Sequence, residues 1–218
     1  MATTYARVER ERLASLLAAA GPGAATLCGG WRTRELAAHL VLREHRPDAA
    51  AGIRLRPLAG WNARVQASIA ARPYEELLRT FRAGPPRLSP FALPGADEAA
   101  NLVEYFVHAE DVRRAADGWD PAQDDGPPIE PGLAEALWRR LPAVARFGAG
   151  VRLPVRLEFE RPDGRTAAVP HRTGPTVRVR GESAELMLFA FGRGARAAVE
   201  AEGAPQAVAL LAGVLPLP

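Results

Sequence analysis

The stretch Asn101-Leu-Val-Glu-Tyr-Phe-Val-His-Ala-Glu-Asp-Val-Arg-Arg-Ala115 decides how the fold of this chain is interpreted. Its apolar residues recur at helical spacing, which predicts a helix over residues 97–117. Glu104 and His108 are four residues apart and therefore share one helix face. Burying an unpaired charge costs several kcal/mol, so a carboxylate and an imidazole on a largely apolar surface need a partner. A divalent metal ion is one such partner. Pairing of Glu104 with His108 or with a neighbouring arginine is the alternative.

The composition is that of a soluble globular protein. The chain has 218 residues, 48% hydrophobic and 24% charged, which suggests one or two domains with a substantial core. All 28 basic residues are arginines, against 25 acidic residues, and the net charge is +3. Because the arginines are scattered among Glu and Asp, we expect no nucleic-acid partner despite the sequence pI of about 9.7.

The lone cysteine and the apolar runs indicate in which cellular compartment the protein is expected. Cys28 excludes an internal disulfide and suits a reducing cytosol. Its Leu-Cys-Gly-Gly-Trp setting favours a small buried residue over a nucleophile. The charged N-terminus lacks the apolar core of a signal peptide, and the longest apolar run, residues 186–191, is too short to cross a membrane. We therefore expect a cytoplasmic protein without membrane contact.

Hydrophobic periodicity divides the chain into a helical part and a mixed part. Alternating apolar and polar residues from 151 onward predict strands, where the preceding pattern is helical. This change predicts an α+β protein with a helical bundle over residues 1–149 and a small α+β domain over residues 150–218. Val8 is expected to lie on the apolar face of the helix over residues 4–20, and Thr33 to cap the second helix. Pro142 is expected to bend or break the helix over residues 132–147. Helices are predicted at residues 4–20, 34–46, 61–71, 73–83, 97–117, 132–147, 184–191 and 205–211, and strands at 151–160, 166–170, 176–180 and 197–202.

The position of each of the four histidines shows whether it could be a metal ligand. His39 lies on the core-facing side of the second helix, whereas His45 is ~240° further round that helix and cannot serve the same site. His171 lies in a turn context that favours exposure. Inward residues of two helices in an antiparallel bundle can converge on one ion, which leaves His39, Glu104 and His108 as candidate ligands. Two imidazoles and a carboxylate suit zinc or another first-row divalent ion, with at least one coordination position open.

Two acidic residues flank this ligand set. Glu35 lies four residues before His39 and is a possible fourth ligand or an acceptor for its imidazole. Asp111 lies three residues after His108 and is placed to orient that imidazole. Ion pairing at the helix surface, with Arg32 or Arg114, is the alternative for both.

Three segments, in order, resemble one family. The stretch Gly-Gly-Trp-Arg-Thr-Arg-Glu-Leu-Ala-Ala-His39-Leu resembles the second-helix signature of the DinB/YfiT-like metal-binding bundles, and in particular the actinobacterial mycothiol-dependent maleylpyruvate isomerase branch. The stretch Glu104-Tyr-Phe-Val-His108-Ala-Glu-Asp-Val-Arg-Arg-Ala resembles the fourth-helix signature of that branch. Residues 178–193 resemble its small sterol-carrier-like C-terminal domain.

The resemblance implies a DinB-like four-helix bundle that binds zinc through His39, Glu104 and His108. It further implies a transferase or isomerase in which the metal activates a low-molecular-weight thiol, typically mycothiol, toward an electrophilic substrate. Arg193 is the implied catalytic arginine of the C-terminal domain, which assists with an acidic substrate. The alternative is a non-enzymatic metal-binding or stress-response protein of the same fold. A transcription regulator is disfavoured, because no basic recognition helix stands out. The protein is expected to be a monomer or a homodimer.

Overall fold

The computed structural model describes residues 5–53, 55–86, 89, 95–116, 119–124, 126–147, 153–169 and 174–218. It divides into two compact units, Met1–Asp117 and Gly118–Pro218. The first unit is helical and the second contains a sheet, so the α+β class predicted from the sequence is confirmed. None of the described helices combines the length and apolar character that a membrane span requires.

The first unit is built from amphipathic helices whose apolar faces form a common core. Helix α1 packs on both α6 and α5, and α2 packs on α4 and α5. Leu13 and Leu17 of α1 and Leu36 and Leu40 of α2 are fully buried, with the three- to four-residue spacing of a helix face. The helices are α1 (Tyr5–Ala20), α2 (Thr33–His45), α3 (Pro47–Ala50), α4 (Ala59–Ala70), α5 (Tyr74–Ala83) and α6 (Ala96–Arg113).

Two local predictions for these helices were wrong. Thr33 is the first residue of α2 and not its cap; its hydroxyl donates to the carbonyl of Gly21, and Arg32 takes the cap position. Val8, predicted to lie on the apolar face of α1, is 48% exposed. The buried face of α1 instead runs through Ala6, Glu9, Leu13 and Leu17, at intervals of three or four residues.

The second unit is a four-stranded sheet with helices packed on it. Its strands are ordered β2-β1-β3-β4, with β1 and β3 parallel and the outer pairs antiparallel. Alternate residues of β1 and β3 are buried, as expected for a sheet with one covered face. The elements are α7 (Pro131–Phe147), β1 (Arg156–Glu160), β2 (Thr166–Ala168), β3 (Thr176–Arg180), α8 (Ser183–Leu188), β4 (Glu200–Gly203) and α9 (Pro205–Ala212).

Helix α7 belongs to this second unit, whereas the sequence placed it in the helical bundle. It packs on α8, and Glu135 on α7 pairs with Arg161 and Arg165 beside the β1–β2 turn. The division of the chain therefore lies between Asp117 and Gly118, before α7, and not near residue 149. Pro142 is accommodated within α7, which runs unbroken to Phe147.

Candidate metal centre

His39 on α2 and His108 on α6 face each other in the first unit. Their ring centroids are 5.6 Å apart in an edge-to-face arrangement, and the ring centroid of Trp31 lies 5.1 Å from that of His39. Each histidine is almost completely buried, with 7% of His39 and 5% of His108 exposed. Two distant segments of the chain thus bring their imidazoles to one place, as the sequence predicted.

Glu104 completes this group. One ligand atom from each of His39, Glu104 and His108 lies within 4.8 Å of the other two. Nε2 of His108 is 3.5 Å from Oε2 of Glu104. Neighbouring ligand atoms of a tetrahedral zinc site, with bonds of about 2.0–2.1 Å, lie about 3.3 Å apart. The Glu104–His108 pair is therefore close to the spacing of ligands in a metal site, and the ligand atom of His39 lies within 4.8 Å of both.

Two imidazole nitrogens in this group are left without a hydrogen bond. Both nitrogens are buried. Nδ1 of His39 has no hydrogen-bond partner among the described residues, and Nε2 of His108 has only its 3.5 Å ion-pair contact with Oε2 of Glu104, outside hydrogen-bond geometry. A buried polar atom without a partner costs about 1–3 kcal/mol. A cation held between the two rings would satisfy such nitrogens, so the donor set fits a divalent metal ion.

Glu104 already has a cationic neighbour. NH1 of Arg43, one turn after His39 on α2, lies 2.6 Å from Oε1 of Glu104. The other guanidinium nitrogen, NH2, donates to Oδ1 of Asn101 at 3.2 Å. The arginine pairing considered from the sequence is therefore present at one carboxylate oxygen. The second oxygen, Oε2, faces His108 and is the one placed for a metal ion.

The electrostatics of the two imidazoles differ. Burial lowers the pKa of His39 to about 3, with a further contribution from the charges of His108 and Arg43. Burial also acts to lower the pKa of His108, but its contacts with Asp111, Cys28 and Glu104 outweigh burial and raise this pKa well above 6.5. In the metal-free protein His39 is neutral at pH 7 and His108 carries a proton on each nitrogen.

The carboxylate is ionised. Burial acts to raise the pKa of Glu104, but His108 and Arg43 together overcome it and hold this pKa at about 2. A ligand carboxylate must be deprotonated to bind a metal ion, and Glu104 meets this requirement throughout the physiological range.

The flanking acidic residues have different roles. Oδ2 of Asp111 lies 2.9 Å from Nδ1 of His108, as expected for a residue that orients this ring. Glu35 instead accepts a hydrogen bond from the backbone N–H of Arg32 at 2.9 Å, in the arrangement of a capping box. Glu35 therefore stabilises the start of α2.

Cys28 was not placed in this site by the sequence. Its Sγ lies 3.0 Å from Oδ2 of Asp111 and 3.6 Å from Nδ1 of His108, and the residue is half-buried. Cys28 lies on the loop that leads into α2, and 80 residues of chain separate it from His108. No spacing or periodicity in the sequence relates that loop to α6, so no signal could have found this contact beforehand.

The remaining predicted residues lie elsewhere. Arg193 belongs to the second unit, where NH1 donates to the carbonyl of Phe191 at 2.9 Å and the guanidinium lies 5.5 Å from that ring. His45 lies at the last position of α2 and belongs to neither potential ligand group. His171 falls outside the described residues. The sequence matches none of the protein-family models, and searches of curated proteins and of solved structures found no similar protein.

Proposed function

We propose that this protein binds a divalent metal ion, zinc or a related first-row ion, through His39, Glu104 and His108. The observation that carries the proposal is the convergence of two buried imidazole nitrogens on one ionised carboxylate: Nδ1 of His39 has no hydrogen bond from the described residues, and Nε2 of His108 has only a 3.5 Å contact with Glu104. Three protein ligands leave at least one position for a further ligand, as in catalytic rather than structural zinc sites.

We propose that the further ligand is a small-molecule thiol, mycothiol in the family that the sequence resembles, and that the protein is a thiol-dependent transferase or isomerase. A bound cation supplies a charge that favours thiolate over thiol. Glu104 brings one negative charge to the site, and Arg43 holds the oxygen that faces away from His108. Asp111 holds the ring of His108 in position through Nδ1.

The acidic product or substrate of such a reaction needs a cationic partner. Arg193 is the proposed residue, on the strength of the resemblance of residues 178–193 to the C-terminal domain of that branch. A DinB-like bundle followed by a sterol-carrier-like domain is the finer fold that belongs with this proposal.

A metal ion with a purely structural role is the second candidate, and the burial of the ligands favours it. Only 7% of His39 and 5% of His108 are exposed, so an ion there would join α2 to α6 with little access for a substrate. On this alternative the protein is a non-enzymatic metal-binding or stress-response protein. Its stability would depend on the ion, and no thiol would bind.

Metal analysis combined with calorimetric titration of mycothiol separates these candidates. We expect about one zinc ion per chain, bound at this site in the wild type and in His45→Ala, which changes the same helix away from the site. The ion should be lost from this site in His39→Ala and His108→Ala. Thiol binding that requires the ion supports the enzyme, whereas an ion without thiol binding supports the structural role. Full metal occupancy in His108→Ala would reject the site.

A further inference from the structure

A second group of donor atoms lies on the opposite edge of the His108 ring. Oδ2 of Asp111 lies 2.9 Å from Nδ1 of His108 and 3.0 Å from Sγ of Cys28, and Sγ and Nδ1 are 3.6 Å apart. In zinc sites with a sulfur ligand, the bonds of about 2.3 Å to sulfur and 2.0–2.2 Å to nitrogen or oxygen place sulfur about 3.5 Å from its neighbours. The distance between Sγ and Nδ1 matches this spacing, whereas the two contacts of Oδ2 are hydrogen bonds that would lengthen by about 0.3–0.5 Å around an ion.

This group is separate from the ligand set described above. His108 offers Nε2 to Glu104 and Nδ1 to Cys28 and Asp111. The two nitrogens of an imidazole point in divergent directions in the plane of the ring, and only one of them carries a lone pair at a time in the neutral form. An ion on Nε2 therefore cannot be a ligand partner of the thiol beside Nδ1, and Cys28 is no fourth ligand of the first site.

The loop that carries the thiol is fastened to α6. The backbone N–H of Leu27 donates to the carbonyl of Asp111 at 3.0 Å, next to the carboxylate in question. The N–H of Cys28 donates to the hydroxyl of Thr26 at 3.2 Å, and its carbonyl accepts from the N–H of Trp31 at 2.8 Å. These bonds hold Cys28 against Asp111 and His108 before any ligand arrives.

We propose that Cys28, His108 and Asp111 form a second binding site for a thiophilic divalent cation such as Zn²⁺, Cd²⁺ or Co²⁺. Thiolate and imidazole together select such ions over Mg²⁺ and Ca²⁺, which prefer oxygen ligands. Asp111 is fully buried and supplies a negative charge at the same place. Binding replaces the thiol proton of Cys28 and the Nδ1 proton of His108 with the cation, and both protons pass to solvent.

The two sites share one imidazole and are therefore alternatives. A neutral imidazole offers a single lone pair while its other nitrogen keeps a proton. With an ion at Cys28 and Asp111, Nε2 of His108 keeps its proton and faces Glu104. With an ion at His39 and Glu104, Nδ1 keeps its proton and donates to Asp111. One ion per chain at neutral pH is the consequence.

Titration of the full chain with Co²⁺ tests this site, because a thiolate ligand gives cobalt a strong charge-transfer absorption in the near ultraviolet. Cys28 is the sole cysteine of the chain, so the absorption reports on this residue alone. We expect the band in the wild type and its complete loss in Cys28→Ser. In His39→Ala, which disables the competing site, we expect a larger band for each cobalt ion bound.

The same variants distinguish a failure of this site from a failure of the proposed function. Absence of the band in both wild type and His39→Ala would overturn the second site and leave the first untouched. Loss of the bound cobalt itself, and not only of the band, in Cys28→Ser would reject the first site and support the second. If the band intensity per bound cobalt ion rises with protein concentration, cysteines of two chains share the ion. This result would also overturn the proposal. Circular dichroism of each variant verifies that it is folded.

Discussion

Oδ2 of Asp111 lies 2.9 Å from Nδ1 of His108, less than one turn earlier on the same helix. The carboxylate is fully buried, so it holds an N–H at this position strongly. When His108 loses one of its two protons, the proton that remains is the one on Nδ1. Nε2 is then left with a lone pair directed at Glu104, which is the tautomer that a metal ion between His39 and Glu104 requires.

Replacement of Asp111 by asparagine should weaken metal binding at the first site. Asparagine keeps the size of the side chain but removes the charge that fixes the tautomer of His108, and loss of such a partner typically costs 10–100-fold in metal affinity. Competition with a zinc chelator measures the change. Asp48→Asn, at an exposed carboxylate that pairs with Arg46, is the matched control and should bind zinc as the wild type does. Unchanged affinity in Asp111→Asn would contradict the orienting role.

Metal binding should release about one proton at pH 7. The pKa of His39 is lowered to about 3, so this ring is neutral above about pH 4 and loses nothing. The pKa of His108 is raised well above 6.5, so this ring must give up its Nε2 proton to bind an ion. Affinity should therefore rise about tenfold per pH unit between pH 5 and neutrality, and level off only above the pKa of His108.

Calorimetric titration in buffers with different ionisation enthalpies measures this release. The slope of the observed heat against buffer enthalpy gives the number of protons. A value near zero at pH 7 would mean that His108 is not protonated in the metal-free protein, or is not a ligand. His45→Ala, which leaves both ligand groups intact, should give the wild-type slope.

Glu104 and Glu35 should respond differently to the same change. In Glu104→Gln the site loses its negative charge and an anionic ligand, so we expect zinc affinity to fall by at least tenfold. In Glu35→Gln, which preserves the capping box at Arg32, we expect wild-type affinity and at most a few tenths of a kcal/mol lost in stability. Zinc titration and thermal unfolding of both variants measure this. An equal loss of zinc affinity in Glu104→Gln and Glu35→Gln would show that Glu35 is also a metal ligand.

The convergence of His39, Glu104 and His108 could be predicted from the sequence because helical spacing fixes which residues share a face. The four-residue interval between Glu104 and His108 and the core position of His39 follow from periodicity alone. The place of Cys28 does not, because it depends on a loop fastened to α6 by the N–H of Leu27. Helical spacing also says nothing about the partner of Glu104, since Arg43 reaches it from another helix.

Removal of Arg43 should destabilise the metal-free protein, because the carboxylate of Glu104 loses its cationic partner. The two side chains are each 15% exposed and lie 2.6 Å apart, so Arg43→Ala should cost about 1–3 kcal/mol without metal. A bound cation then neutralises Glu104 in place of the guanidinium, so zinc should raise the melting temperature of this variant more than that of the wild type. Arg46→Ala removes an exposed pair with Asp48 and should change stability by less than about 0.5 kcal/mol. Equal metal-free stability of the two variants would count against the pairing.

The division of the chain before α7 can be tested by truncation. An amphipathic pattern shows that a helix buries one face but not which body covers it, and this is why residues 132–147 were assigned to the bundle. In the structure α7 packs on α8, and its Leu137 and Leu141 are fully buried. Burial of each leucine is worth about 2–3 kcal/mol, a large part of the stability of a unit this small. A fragment of residues 118–218 should therefore unfold cooperatively in urea, whereas one of residues 150–218 should show no cooperative transition. Cooperative unfolding of the shorter fragment would instead support a domain boundary near residue 149, where the hydrophobic period changes from helix to strand.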